Sequence, residues 1–243
     1  YAAAKIPYLS VWRHLLEEQN LSQVKQQIKD AGLQVSALVR GGFFPSVEAQ
    51  ERKAALEDNL NAIAQAEAIG APQVVLVCGA DGRQSLATSR EQIEEGIRSL
   101  LPRAENAGVQ LAIEPLHPMY AGDKSAVVSL GQANDMVESI QSEWVGVAID
   151  VYHLWWDKQL QQEIARCGSN KNLLAFHVCD WNVPTTDFLT DRGLMGDGCI
   201  PVKQIRQWVE EAGFNGPIEV EVFSDKYWKM DQKAYLEKIK NAY

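Results

Sequence analysis

Val145-Gly-Val-Ala-Ile-Asp150-Val-Tyr-His153 is an apolar run that stops at an aspartate and places a histidine three residues later. Three other apolar runs stop in the same way, at Glu114, at His177 and at Glu221. Their near-continuous aliphatic character, without clean alternation of apolar and polar positions, is that of parallel strands buried on both faces. Side chains at the C-terminal ends of such strands converge in a barrel, so four matching strand ends point to one shared pocket.

Outward from this stretch, strands and helices alternate along the whole chain. Strands are expected at Tyr8–Trp12, Leu33–Val39, Gln73–Cys78, Val109–Glu114, Val145–Asp150, Asn172–Asp180 and Pro217–Phe223. Helical spacing predicts helices from Ser22 to Ala31, from Ser46 until Gly70 stops it, from Ser89 to Asn106 with a Thr88/Ser89 cap, and from Leu130 to Ile140. Further helices are expected from Asp157 to Cys167, from Pro201 to Ala212 and from Asp231 to Tyr243. Gly32, Gly70, Gly108 and Gly213 follow helices, where glycine closes a C-terminus readily.

The expected fold is α/β, a (β/α)8 TIM barrel, with residues 1–243 forming one domain. Seven strand candidates fall one short of eight, and the expectation is that the first strand and most of the first helix lie outside this sequence. An open doubly wound sheet is the competing fold. It would show a glycine-rich phosphate turn after its first strand, whereas here polar residues end many successive strands.

The totals narrow the function. With 23 basic and 32 acidic residues the chain carries a formal charge of −9, which disfavours nucleic acid as a partner. Cys78, Cys167, Cys179 and Cys199 form no CxxC pair, so free thiols are the plain reading. No apolar run approaches the roughly 20 residues that cross a bilayer, and the start lacks a signal-peptide layout. A cytoplasmic protein without a membrane partner is expected; a homo-oligomer stays open.

Glu114, Asp150, His177 and Glu221 offer three carboxylates and an imidazole. This hard, oxygen-rich set suits Mn²⁺, Mg²⁺ or Co²⁺ and also admits Zn²⁺. Glu219 is the rival of Glu221, two residues earlier on the same strand and so pointing the same way; Glu221 is preferred because it is nearer the strand end. His117 follows Glu114 by three residues and His153 follows Asp150 by three, positions suited to orienting a substrate hydroxyl or supporting a ligand. Arg40 ends a strand before two glycines and faces the same mouth, where it can hold a substrate oxygen. Asp180 is either a neighbour of the His177 ligand or a solvated loop carboxylate. Arg192 and the Gly196-Asp197-Gly198 turn lie in a long polar loop that can close over the pocket. Trp12, Phe43, Trp155 and Trp156 read as core packing or as an apolar wall for a sugar or cyclitol.

Together the segments Ala112-Ile-Glu114-Pro-Leu, Ala148-Ile-Asp150-Val-Tyr-His153, Phe176-His177-Val-Cys-Asp180, Gly196-Asp197-Gly198-Cys-Ile and Ile218-Glu-Val-Glu221-Val-Phe223 resemble the xylose-isomerase-like barrel superfamily of sugar isomerases and epimerases. The resemblance covers nearly the whole chain. It implies that Glu114, Asp150, His177 and Glu221 bind one divalent ion, that Glu114 and Glu221 also move the proton, and that His153 and Arg192 contact substrate oxygens. The endonuclease branch of that superfamily uses three zinc ions and more histidines than the four present here, which disfavours DNA repair.

The function expected is a metal-dependent isomerase or epimerase of a small keto-sugar, polyol or cyclitol, working through a metal-stabilised enediolate. The alternatives are a dehydratase of the dehydroshikimate or inosose type, told apart by a new ultraviolet-absorbing enone, and a non-catalytic binding barrel.

Overall fold

A computed structural model describes residues 1–243. In chain order, a 3-10 turn at Ala2–Ala4 precedes β1 (Tyr8–Trp12), α1 (Leu21–Asp30), β2 (Gln34–Gly42), α2 (Ala49–Ile69), β3 (Gln73–Val77), α3 (Leu86–Ala107) and β4 (Gln110–Glu114). There follow α4 (Leu130–Ile140), β5 (Val145–Asp150), the short α5 (Val151–Leu154), α6 (Leu160–Ser169) and β6 (Leu173–Val178). The last third holds β7 (Asp180–Trp181), β8 (Arg192–Gly193), α7 (Val202–Glu211), β9 (Ile218–Val220), α8 (Asp225–Trp228) and α9 (Gln232–Ala242).

Seven parallel strands pair in the order β1-β2-β3-β4-β5-β6-β9 and curl into a nearly closed TIM barrel ringed by helices. β1 and β9 face one another without a backbone ladder, and a cavity of about 1500 Å³ runs between them, reaching Trp12, Arg40, Glu219 and Glu221. The parallel pairing follows from the burial: β3 and β5 are buried at every position, as strands covered on both faces must be.

Alternate residues divide between two cores. Leu76, Leu111, Ile113, Val147, Ile149 and Phe176 point outward and join the helices in a cluster of 40 buried residues. The interior positions between them are small: Ala37, Val39, Val75, Ala112, Ala148 and Ala175 form a separate inner cluster. Small interior side chains leave the barrel's upper end unfilled, and the chemistry-bearing residues stand there.

Most elements match the periodicity within one to three residues, with four instructive departures. α3 starts earlier than expected, at Leu86, because the Ser85 hydroxyl and not a Thr88/Ser89 cap accepts the Thr88 N–H. β2 runs on to Gly42, whose N–H and carbonyl are both held by buried Asn59 from α2. β9 is only three residues long, so Glu221 lies just past the strand. The polar loop after β6 contains an unexpected two-residue hairpin, β7 with β8, which pairs Trp181 with Arg192.

Candidate active site

Three strands carry the same short pattern, Ala112-Ile-Glu114, Ala148-Ile-Asp150 and Ala175-Phe-His177. Because a strand repeats every two residues, each polar residue stands on the interior row directly above its alanine. On β9 the pattern becomes Glu219-Val-Glu221. The Glu219 carboxylate accepts hydrogen bonds from the hydroxyls of Ser10 and Ser36, the latter at 3.3 Å, and so stays deeper in the barrel. Glu221, one step higher, joins Glu114, Asp150 and His177 in a cluster whose ligand atoms all lie within 4.8 Å of one another.

The cluster is buried and internally connected. Asp150 is fully buried; its Oδ1 accepts the Tyr152 N–H at 2.8 Å and its Oδ2 accepts from Arg192 Nη1 at 3.0 Å. The same Arg192 nitrogen donates to Glu221 Oε2 at 3.0 Å. His177 Nδ1 sits 3.2 Å from Glu114 Oε1. The remaining oxygens, Glu114 Oε2 and Glu221 Oε1, have no hydrogen-bond partner in the protein.

Burial and charge pull against each other here. Burial raises the Asp150 carboxyl to about 6, the Arg192 charge opposing the shift. Burial likewise raises Glu221, again against Arg192, with the Glu114 charge adding to the rise. For His177 burial lowers the imidazole, but the bond to Glu114 and the charges of Glu219, Glu114 and Glu221 outweigh it and carry the value up to about 10. His153 goes the other way: burial and the nearby Arg192 hold it well below 6.5, so it is neutral. Three carboxylates converging in a buried site, with a histidine kept protonated only by their charge, form a donor set that fits a divalent cation.

The other sequence-derived residues are placed as follows. His153 is 4% exposed, with Nε2 3.7 Å from Asp150 Oδ2 and 3.4 Å from Arg192 Nη2; its Nδ1 is buried without a partner. Arg192 is buried beside the cluster instead of hanging in a loop. His117 lies half-buried against the Trp156 and Trp181 rings, its Nδ1 accepting the Met119 N–H at 3.2 Å. Arg40 is exposed, its guanidinium 4.4 Å from the Phe43 ring centre and facing the Glu114 charge. Asp180 does not reach the cluster; it accepts the N–H groups of Trp181, Gly196 and Ile200 and so holds the Gly196–Ile200 turn in place. The aromatic set divides: Trp12 meets Phe223 edge-on at the cavity, Phe43 underlies Arg40, and Trp155 packs against Trp181 and the main core.

Two tyrosines escape sequence reasoning. Tyr120 and Tyr152 both donate their phenol O–H to the Phe188 carbonyl, at 3.0 and 2.7 Å, tying the loop between β7 and β8 to the barrel mouth. Tyr152 lies inside the opening stretch, yet nothing in the spacing reveals a partner 36 residues away.

Comparison with known proteins agrees with this architecture. The family model described as xylose isomerase-like TIM barrel matches residues 2–242. An inosose isomerase of Halalkalibacterium halodurans is 22% identical over 231 residues, covering 93% of this chain and 80% of that protein. The crystal structure of protein SMc04130 from Sinorhizobium meliloti 1021 is 45% identical, with a TM-score of 0.96 over 99% of this chain and 88% of that one. A crystal structure of the IOLI protein with a zinc atom superposes with a TM-score of 0.85 at 18% identity, over 99% of this chain and 88% of that one.

Proposed function

The chain belongs to the xylose isomerase-like TIM barrel family, and from that premise we propose that it is a divalent-metal-dependent isomerase or epimerase of a small keto-sugar, polyol or cyclitol. The observation that carries this reading is the convergence of Glu114, Asp150, His177 and Glu221 within 4.8 Å at the top of the interior rows. The likeness to an inosose isomerase along 93% of the chain supports a cyclitol or sugar as substrate.

Glu114, Asp150, His177 and Glu221 would hold the ion, which when bound would polarise a substrate carbonyl and make the adjacent C–H more acidic. Mn²⁺, Mg²⁺ and Co²⁺ suit three carboxylates and one imidazole, and Zn²⁺ is admitted. The proton itself is moved by the chain. Glu114 and Glu221 each keep one carboxylate oxygen free of protein partners, and they approach from β4 and from the end of β9. One takes the proton from the carbon beside the carbonyl and the other returns it. Neutral His153 offers a substrate hydroxyl both a donor and an acceptor. Arg40 and His117 stand at the mouth as further contacts for substrate oxygens, and Trp12 with Phe223 forms an apolar wall for the ring face.

The test is solvent-deuterium exchange. With Mn²⁺ present, the native protein should incorporate deuterium from heavy water into inosose or a keto-hexose. Glu114→Gln and Glu221→Gln should each lower that exchange by at least about a hundredfold, the usual contribution of a positioned acid or base. Undiminished exchange in both variants would remove the two glutamates from the proton path.

A further inference from the structure

The charge inside the cluster needs a counterweight when no ion is bound, and the fold supplies one. Arg192 Nη1 lies 3.0 Å from Asp150 Oδ2 and 3.0 Å from Glu221 Oε2, bridging two of the three carboxylates. The side chain is 3% exposed. Its guanidinium is held between the Tyr152 ring, 4.1 Å away, and the Phe223 ring, 4.9 Å away. The backbone is tied down on both sides: Arg192 pairs with Trp181 across the β7–β8 hairpin, and its N–H donates to the Phe223 carbonyl at 2.9 Å. Two rings and two neighbouring segments thus hold the guanidinium against the cluster.

We propose that Arg192 is a resident counter-ion of the carboxylate cluster. It is a positioning residue that acts through Asp150 and Glu221 and keeps both carboxylates in place in the metal-free protein. It does so whether or not it also touches substrate. With an ion held, the guanidinium offsets the one negative charge that a dication would leave on the three ligating carboxylates. The proposal rests on the metal-binding reading for its second half only; the pairing with Asp150 and Glu221 belongs to the protein without metal.

Two consequences separate this role from simple substrate contact. Breaking a buried ion pair by removing one partner leaves the other charge uncompensated, which is strongly destabilising. Metal-free Arg192→Met should therefore melt at least about 6 °C below the native protein, given the few degrees per kcal/mol expected at this chain length. Arg192→Lys, which keeps the charge, should recover at least half of that loss. Because the guanidinium also repels a dication across a low-dielectric site, Arg192→Met should bind Mn²⁺ at least about tenfold more tightly by calorimetry.

The decisive arm is a double-variant cycle without metal. Adding Asp150→Asn to Arg192→Met removes one of the stranded carboxylates and should restore melting toward the native value. Recovery supports the counter-ion role even if Arg192→Met alone fails to fold. A metal-free melting point unchanged by Arg192→Met, or a loss that Asp150→Asn does not relieve, overturns it. Unchanged or weaker Mn²⁺ affinity in a folded Arg192→Met protein would overturn the half that concerns the loaded site. Absence of Mn²⁺ binding to the native protein would instead count against the proposed function, and the metal-free cycle would still decide the role of Arg192.

Discussion

Protonated His177 is the residue on which loading of the site turns. Its imidazole in the metal-free protein is lifted to about 10 by Glu114 and the surrounding carboxylates, against the effect of burial, so it carries a proton at neutral pH. A coordinating histidine must be neutral, so binding an ion expels that proton. Mn²⁺ affinity should accordingly rise with pH, by up to about tenfold per unit below 10. Calorimetry at about pH 7.5 in two buffers of different ionisation enthalpy should report about one proton released per ion, and a value near zero would show that His177 is not a ligand. The sign for folding is the opposite. A histidine whose value is raised on folding stabilises the metal-free protein fully below its unfolded value near 6.5, and that contribution is lost as the pH rises through about 10. Glu114, Asp150, His177 and Glu221 are legible one by one as polar residues that end apolar runs. The fate of Arg192 is not, because its partners are 42 and 29 residues away and no local pattern encodes that distance.

Among the elements, the repeated Ala-x-polar pattern on β4, β5 and β6 couples packing to chemistry. Ala112, Ala148 and Ala175 keep the inner rows thin, and Glu114, Asp150 and His177 stand directly above them. Ala148→Leu should overpack this inner layer and lower stability by about 1–3 kcal/mol, measured by urea denaturation. It should also weaken Mn²⁺ binding, because Asp150 rides on the same row; full stability and affinity would show the interior to be more accommodating than its contacts indicate. The pattern was open to reading in the sequence once strand period and direction were known. The cap of α3 was ambiguous, since Ser85, Thr88 and Ser89 all have capping side chains; only the hydrogen bond from Thr88 to Ser85 decides among them. Asp180 shows the converse. A carboxylate three residues beyond a proposed ligand resembles part of the site, yet three backbone N–H groups occupy it and make it the organiser of a turn.

Across the whole molecule, the ion should act as a cross-link between strands far apart in sequence. Ligands from β4, β5, β6 and the end of β9 span roughly a hundred residues of chain, and none can form this cluster in the unfolded state. Mn²⁺ at about 100 times its dissociation constant should add about 2.7 kcal/mol and raise the melting temperature by roughly 5–10 °C. Excess chelator should reverse the shift, and a melting curve indifferent to both would argue against an ion at this site. No helix is long and apolar enough to cross a membrane.

The sequence by itself determined the alternation of strand and helix, the parallel sense of the sheet and four polar residues at strand ends. These follow from periodicity, which is local and survives without knowledge of the fold. Only the tertiary structure decided that Ser10 and Ser36 hold Glu219 below the other four, that Arg192 is buried between Asp150 and Glu221, and that Tyr120 and Tyr152 share the Phe188 carbonyl. Each of those outcomes depends on which strands become neighbours and on how far each interior row has climbed at a given residue. Strand curvature and register set that height across the barrel, and neither is written in any single stretch of chain.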